Sequence, residues 1–361
     1  MNCSIFAYQK IQYVSQFLEE KYMILIGDIG KDKSQLAILS QEQDAKEMAR
    51  KEFHNQNYLA LVDVVAVFLE EYKSVLKDEP IYIACFGIAG PNINGNCQIY
   101  DENKLDWKFT VKDLRELLPT ADYLKVLNDM PALGSAIPKL SKSDLIDFND
   151  VLAKKGNRAV SLATGEGLGE LLLYRDCSGD FLPSPSEGGH ANFAPHNDWT
   201  LEFSSYLHTQ FSPPISWEKV ISWESLQTIY EFLQHKKGMQ ISSISYEDIL
   251  QRANQNDELC KQALERFASM YGSGLGDLAL RTLAVNGVYI GGRMVQEILG
   301  QETTKQIFIK EFMNAFKDKE GFDRKRNFAK RNAVIPVKAF INPEMVLLGA
   351  LQRAKIMANL Q

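Results

Sequence analysis

Asn128 and Asp129 stand side by side where the apolar run Tyr123–Leu127 ends. A carboxylate in such a place can take the proton of an attacking hydroxyl, and the neighbouring amide can hold the molecule that carries it. The same pair can also cap a helix that starts near Pro131, and the two roles are compatible. Glu187 and His190 flank Gly188 and Gly189. An ionised carboxylate accepts from hydroxyls and an imidazole donates or accepts, so this loop can grip a polar ligand. The plainer reading is a solvated Glu and a structural His on a surface loop. Glu218, beside Lys219, reads by itself as an acid at a helix start. His196 lies close in sequence to His190, yet no cysteine or further histidine completes a set of metal ligands, so no metal site is expected.

Three glycine groups stand at the ends of apolar runs. They are Asp28-Ile29-Gly30, Gly165-Glu166-Gly167-Leu168-Gly169 and Gly291-Gly292. Glycine in such turns lets the backbone approach a ligand closely, although Gly291-Gly292 also fits a plain turn after a strand. Gly272-x-Gly274-x-Gly276 lacks a preceding strand and lies in a helical stretch, which predicts close helix packing rather than a dinucleotide fingerprint. The chain has no Gly-x-x-x-x-Gly-Lys-Ser/Thr phosphate loop.

The elements that must position these groups follow from hydrophobic pattern. Met23–Gly27 is a short apolar run, and after a polar stretch the pattern resumes at Leu36–Leu39, which predicts a strand hairpin. Tyr58–Leu76 has apolar residues at helical spacing. Ile81–Phe86 and Tyr123–Leu127 read as buried strands, Asn92–Asn96 as a turn and Pro131–Ile137 as a helix start. In the second half Ala159–Ala163 and Glu170–Tyr174 form another hairpin. Residues 197–285 are mostly helical, Val288–Ile290 and Ile335–Ile341 are strands, and Met345–Leu360 is a closing helix. A helix is also expected over Ile11–Glu20. Strands mixed with helices, and a hairpin early in each half, predict an α/β protein of two lobes.

A chain of 361 residues is long enough for two cores. Its net charge of -6 gives no sign of the basic face that nucleic-acid binding requires. The five cysteines are scattered and odd in number, which fits a reducing cytoplasm better than a disulfide framework. No apolar run approaches the ~20 residues that span a bilayer.

In order and spacing, several segments together resemble the bacterial glucokinase family. They are Val126-Leu127-Asn128-Asp129, Ser186-Glu187-Gly188-Gly189-His190 with Phe193-Ala194-Pro195, and Ser216-Trp217-Glu218-Lys219-Val220-Ile221-Ser222. Gly165-x-Gly167-Leu168-Gly169, Tyr289-Ile290-Gly291-Gly292 and Leu347-Leu348-Gly349-Ala350 add to the match, which runs from about Met23 to Leu360. The resemblance implies the two-lobed, actin-like ATPase (ribonuclease H-like) sugar kinase fold. Residues 1–21 would be an extension, 22–127 a small lobe completed by the closing helix 345–361, and 128–344 a large lobe. It further implies phosphorylation of glucose, or a similar hexose, by ATP with Mg²⁺, and a homodimer. Asp129 would be the catalytic base and Asn128, Glu187, His190 and Glu218 the sugar ligands. Asp28, Gly30, Gly165, Gly167, Gly169, Gly291 and Gly292 would bind the nucleotide.

The two phosphate turns depart from the family. Its first turn usually reads Asp-x-Gly-Gly-Thr-Asn, whereas this chain has Asp28-Ile29-Gly30-Lys31-Asp32-Lys33. Its second usually reads Gly-Thr-Gly-Leu-Gly, and Glu166 takes the place of the threonine. Ionised Asp32 and Glu166 accept but do not donate. A carboxylate about 4 Å from a phosphate charge costs roughly 4 kcal/mol at an effective dielectric of 20, which Lys31 and Lys33 can offset. The family's Thr-Asn-x-x-Trp is reduced to Asn103-Lys104-Leu105-Asp106-Trp107. These departures leave two alternatives beside the ATP-dependent kinase: a sugar sensor that has lost phosphoryl transfer, and a kinase whose donor is polyphosphate, contacted by Lys31 and Lys33.

Overall fold

The computed structural model describes residues 21–42, 45–76, 79–101, 105–165, 167–319 and 328–358. The expected helix over Ile11–Glu20, the pair Asn103-Lys104, Glu166 and the last three residues lie outside the described residues. The chain divides into two compact units, one running to Lys139 and resuming at Glu344, the other spanning Leu140–Pro343.

In the first unit, β1 (Met23–Ile29), β2 (Lys33–Ser40) and β3 (Glu47–His54) form an antiparallel meander, and β4 (Ile81–Ile88) and β8 (Tyr123–Asn128) continue the sheet in parallel. The order is β3-β2-β1-β4-β8. Alternation along β1 sends Leu25 and Ile29 to one face and Ile24 and Ile26 to the other. The first face is covered by the helix Leu61–Glu71, which buries Leu61, Val64, Val65 and Phe68 at helical spacing. The second is covered by Leu347, Ala350 and Ala354 of the closing helix Met345–Met357. A side sheet of β5 (Asn92–Ile93), β6 (Asn96–Asp101) and β7 (Leu105–Thr110) completes the unit.

The closing helix also packs on the helix Asp129–Ala136, where a Cβ on Gly349 would lie 1.7 Å from the Ala132 carbonyl. Glycine is therefore required for that crossing. The packing places Asn128, Asp129 and their helix in the first unit, beyond the boundary at 127 drawn from the sequence.

In the second unit, β10 (Arg158–Ala163), β11 (Leu168–Arg175) and β12 (Phe181–Ser186) form a meander, and β13 (Gly287–Gly291) and β14 (Val337–Phe340) pair in parallel beyond β10. An antiparallel edge strand, β9 (Leu145–Asp147), closes the order β12-β11-β10-β13-β14-β9. Five strands of this sheet repeat the order and sense of the first unit's sheet, a duplication of topology without a repeat in sequence. The helix Glu258–Thr282 packs on Glu302–Lys317, and Cβ atoms on Gly272 and Gly276 would meet the Phe312 and Phe316 carbonyls at 2.1 and 2.8 Å. The glycine run is thus a helix-packing device, as its context predicts.

Candidate active site

The candidate residues of the first unit gather at the carboxyl ends of its parallel strands, the place where open α/β sheets bind ligands. Asp28 is in register with Gly87, and Gly87 with Leu127, the residue before Asn128. Asn128 caps the helix Asp129–Ala136: its Oδ1 accepts from the Met130 N–H (3.1 Å), while its Nδ2 donates to the Gly90 carbonyl (3.2 Å). The capping role is therefore present, and the amide plane is fixed from both sides. Asp129 Oδ1 accepts from the Met130 N–H at 2.8 Å.

Burial raises the pKa of Asp129 above the usual carboxylate range, opposed by the Met130 N–H, the Asn128 amide and the charge of Lys31. Asp28 is pushed up to about 7, first by burial and then by the charge of Asp129. These are two desolvated acids whose charges repel, with a lysine near the second. Gly30 stands at the head of a tight turn in which its N–H donates to the Lys33 carbonyl (2.9 Å). The substituted positions Lys31, Asp32 and Lys33 are all exposed, and Lys33 pairs with Glu52 at 2.7 Å.

The second unit brings Glu187, His190 and Glu218 together. His190 Nε2 lies 3.9 Å from Glu187 and its Nδ1 3.8 Å from Glu218. The Glu187 side chain is 93% exposed and that of Glu218 only 25%. Glu187 and His190 belong to a one-turn 3-10 segment after β12, and Glu218 to a turn of helix capped by Ser216. A backbone bond from Trp217 N–H to the Ala191 carbonyl (2.9 Å) joins the two segments.

Glu218 also reaches the glycine turn after β10, where its Oε2 accepts from the Leu168 N–H at 3.0 Å. In that turn Thr164 Oγ1 accepts from the Gly167 N–H (3.0 Å), and Gly165 has φ +103, which favours glycine. Gly169 pairs with Leu162 in the hairpin, and Leu162 with Gly291. Gly292 has φ +98, and a Cβ there would lie 2.3 Å from the Ala163 carbonyl. The glycines of both groups thus lie along adjoining strands at one end of the sheet.

The glucokinase family model matches residues 25–357 of this chain. The glucokinase of Synechocystis sp. is 29% identical over 356 residues, covering 90% of this chain and 96% of that protein. Among solved structures, a glucokinase from an Antarctic psychrotroph aligns with a TM-score of 0.78 at 23% identity, over 92% of this chain and 99% of its own. A ROK family glucokinase from Streptomyces griseus, in complex with glucose and AMPPNP, aligns at 0.54 with 15% identity, over 92% and 99%. The chain belongs to the glucokinase family. Its fold is that of the glucokinase and ROK sugar kinases, the actin-like ATPase fold, and the family is one of hexose kinases.

Several side chains that shape this glucokinase-family site escape a reading of the sequence. Asn55, fully buried, accepts from Ser34 Oγ (2.7 Å) and donates to the Gly30 and Lys31 carbonyls (2.9 and 3.2 Å), so it pins the first phosphate turn. Its only sequence signal is an asparagine after a strand. Glu170, 4% exposed, lies under the Glu187–His190 loop, and a Cβ on Gly188 would be 1.9 Å from its Oε2. Burial raises its pKa, with Arg281 acting the other way. An acid within an apolar strand was the available signal. The Trp223 ring packs on Gly165, and the Trp223 backbone N–H donates to the Gly165 carbonyl at 3.0 Å.

Proposed function

We propose that this chain phosphorylates glucose at its 6-hydroxyl with ATP, Asp129 acting as general base. Asn128, Glu187, His190 and Glu218 bind the sugar. Asp28, Gly30, Gly165, Gly167, Gly169, Gly291 and Gly292 bind the nucleotide. The observation that carries the sugar assignment is the gathering of an imidazole and two carboxylates from two segments, a set suited to hydroxyl groups and poor in apolar surface. Asp129 fits the base: desolvation makes its carboxylate a stronger proton acceptor than a surface acid. Its own charge then helps to hold the hydroxyl in line with the phosphoryl group.

Gly165 and Gly292 both take positive φ, a backbone that glycine adopts without strain and that can turn N–H groups toward a phosphate or adenosine. Among the described residues no group of three or more His, Cys, Asp or Glu is arranged to hold a metal ion. Asp28 fits the sparse protein contribution that Mg²⁺ needs when phosphates supply the remaining ligands. Bound there, Mg²⁺ would neutralise phosphate charge. Lys31, Asp32 and Lys33 are exposed on the first turn and the charge of Lys31 acts on Asp129, an arrangement that accommodates the substitutions without breaking the hairpin.

The family match and the curated relatives speak for phosphorylation and not for the sensor alternative. No described helix is long and apolar enough to cross a membrane, and Cys85, Cys97, Cys177 and Cys260 are free. We place the reaction in the cytoplasm and expect a homodimer, as in the family. A coupled glucose 6-phosphate assay with ATP tests the proposal. Glucose binding by calorimetry, without ATP binding or turnover, refutes it.

A further inference from the structure

Where the family's second phosphate turn carries a threonine hydroxyl, this chain has Glu166, an acceptor when ionised. The turn needs another hydrogen-bond donor, and the fold presents one beside it. The Cβ position of Gly165 lies 2.0 Å from Trp223 Nε1 and 2.3 and 2.7 Å from the ring carbons on either side of it, so the indole packs on the turn at its nitrogen. Trp223 is 8% exposed, and its indole N–H makes no hydrogen bond among the described residues. A tryptophan N–H held in place usually finds an acceptor.

The ring is also held in place. It stacks on Tyr246 at 3.8 Å between centroids and 10° between planes. The Tyr246 hydroxyl accepts from Arg293 at 3.3 Å, and Arg293, itself bonded to Glu297 at 2.6 Å, directly follows Gly291-Gly292. Gly165, Trp223, Tyr246 and Arg293 thus form a continuous wall joining the two glycine groups of the second unit. A recess of ≈ 430 Å³ is lined by Gly165, Trp223, Tyr246 and Lys219. The two carboxylates that also line it are engaged, Glu218 with the Leu168 N–H and Glu224 with Lys219 at 3.4 Å.

We infer that the Trp223 indole N–H donates to a phosphate oxygen of the nucleotide, in place of the hydroxyl lost at Glu166. This rests on the reading of Gly165–Gly169 as a phosphate turn. An indole N–H only donates, carries no charge and does not titrate, so it selects an acceptor such as a phosphate oxygen over a range of pH.

Trp223→Phe keeps a ring to stack on Tyr246 and removes the donor. The expected result is a rise of about tenfold in KM for ATP, from loss of one charge-assisted hydrogen bond, with KM for glucose unchanged and the melting temperature lowered by a few degrees as the smaller ring leaves a void. An unchanged KM for ATP overturns the inference. A second measurement uses the unaltered protein and its four tryptophans. In ¹⁵N spectra of the indole groups, AMPPNP should move the Trp223 N–H resonance downfield and adenosine should leave it in place. No shift with AMPPNP, or an equal shift with adenosine, overturns the inference. If the unaltered protein neither binds AMPPNP nor makes glucose 6-phosphate, the reading of the turn fails and the inference falls with it. If it does both and Trp223→Phe behaves like it, the inference alone fails.

Discussion

The acidic pair of the first unit and the acid-imidazole-acid set of the second are built from similar side chains in opposite surroundings. Asp28 and Asp129 are desolvated, sit at strand ends and have raised pKa values. Glu187 stands 93% exposed and His190 63%, and only Glu218 is drawn in, by the Leu168 N–H. A group that must take a proton gains basicity from burial. Groups that only hold hydroxyls need reach and orientation, and they exchange water for ligand at little cost while they wait. The contrast separates the chemistry from the grip, and each change below presses on one side of it.

The largest effect should come from the buried side. Asp129→Ala is expected to lower kcat by about 10³-fold, within the range for loss of a general base, while KM for glucose moves little. The coupled assay measures both. A variant that keeps its kcat would place the proton acceptor elsewhere. On the exposed side, Glu218→Gln or Glu187→Gln should raise KM for glucose by roughly 10–100-fold, the loss of a hydrogen bond to a charged group, and calorimetry of glucose without nucleotide should show the same loss. Glu218→Gln should be the more damaging of the two, since its carboxylate also fixes the second turn.

The phosphate turns give the next test. Asp32→Thr combined with Glu166→Thr should tighten ATP by about tenfold or more, because two carboxylates are replaced by hydroxyl donors. Affinity that stays flat or weakens would show that Lys31 and Lys33 already neutralise both acids. The smallest effect concerns stability. Asp28 ionises near 3.8 when unfolded and at about 7 in the fold. Folding therefore takes up a proton between those values, and stability falls as pH rises through that window. Asp28→Asn should remove that slope, raising the melting temperature by roughly 3 °C at about pH 8, by about a third of that at about pH 5, and hardly at all at about pH 3. Equal gains at all three would mean that Asp28 is not a desolvated acid.

Much of the frame was legible because its strands are short apolar runs closed by glycine or Asn-Asp. The missed strands have physical reasons. β3 turns only Ala49 and Phe53 fully inward, so its pattern is too sparse to stand out. β12 reads Phe-Leu-Pro-Ser-Pro-Ser, and its prolines confine it to the sheet edge, where it pairs with β11 alone. The single helix expected over Tyr58–Leu76 breaks at Tyr72, whose backbone leaves the helical region. Motif residues such as Glu187, His190 and Glu218 could be named from their spacing, and the fold brings those three together. Asn55, Glu170 and Trp223 could not, since each acts through backbone that another part of the chain delivers to it.

A crystal structure with glucose bound tests the central claim most directly. The account predicts one hexose contacted by Asn128, Asp129, Glu187, His190 and Glu218, with its 6-hydroxyl on the Asp129 carboxylate. A hexose that touches Glu187, His190 and Glu218 but leaves Asp129 without its hydroxyl, or one bound elsewhere, would contradict it.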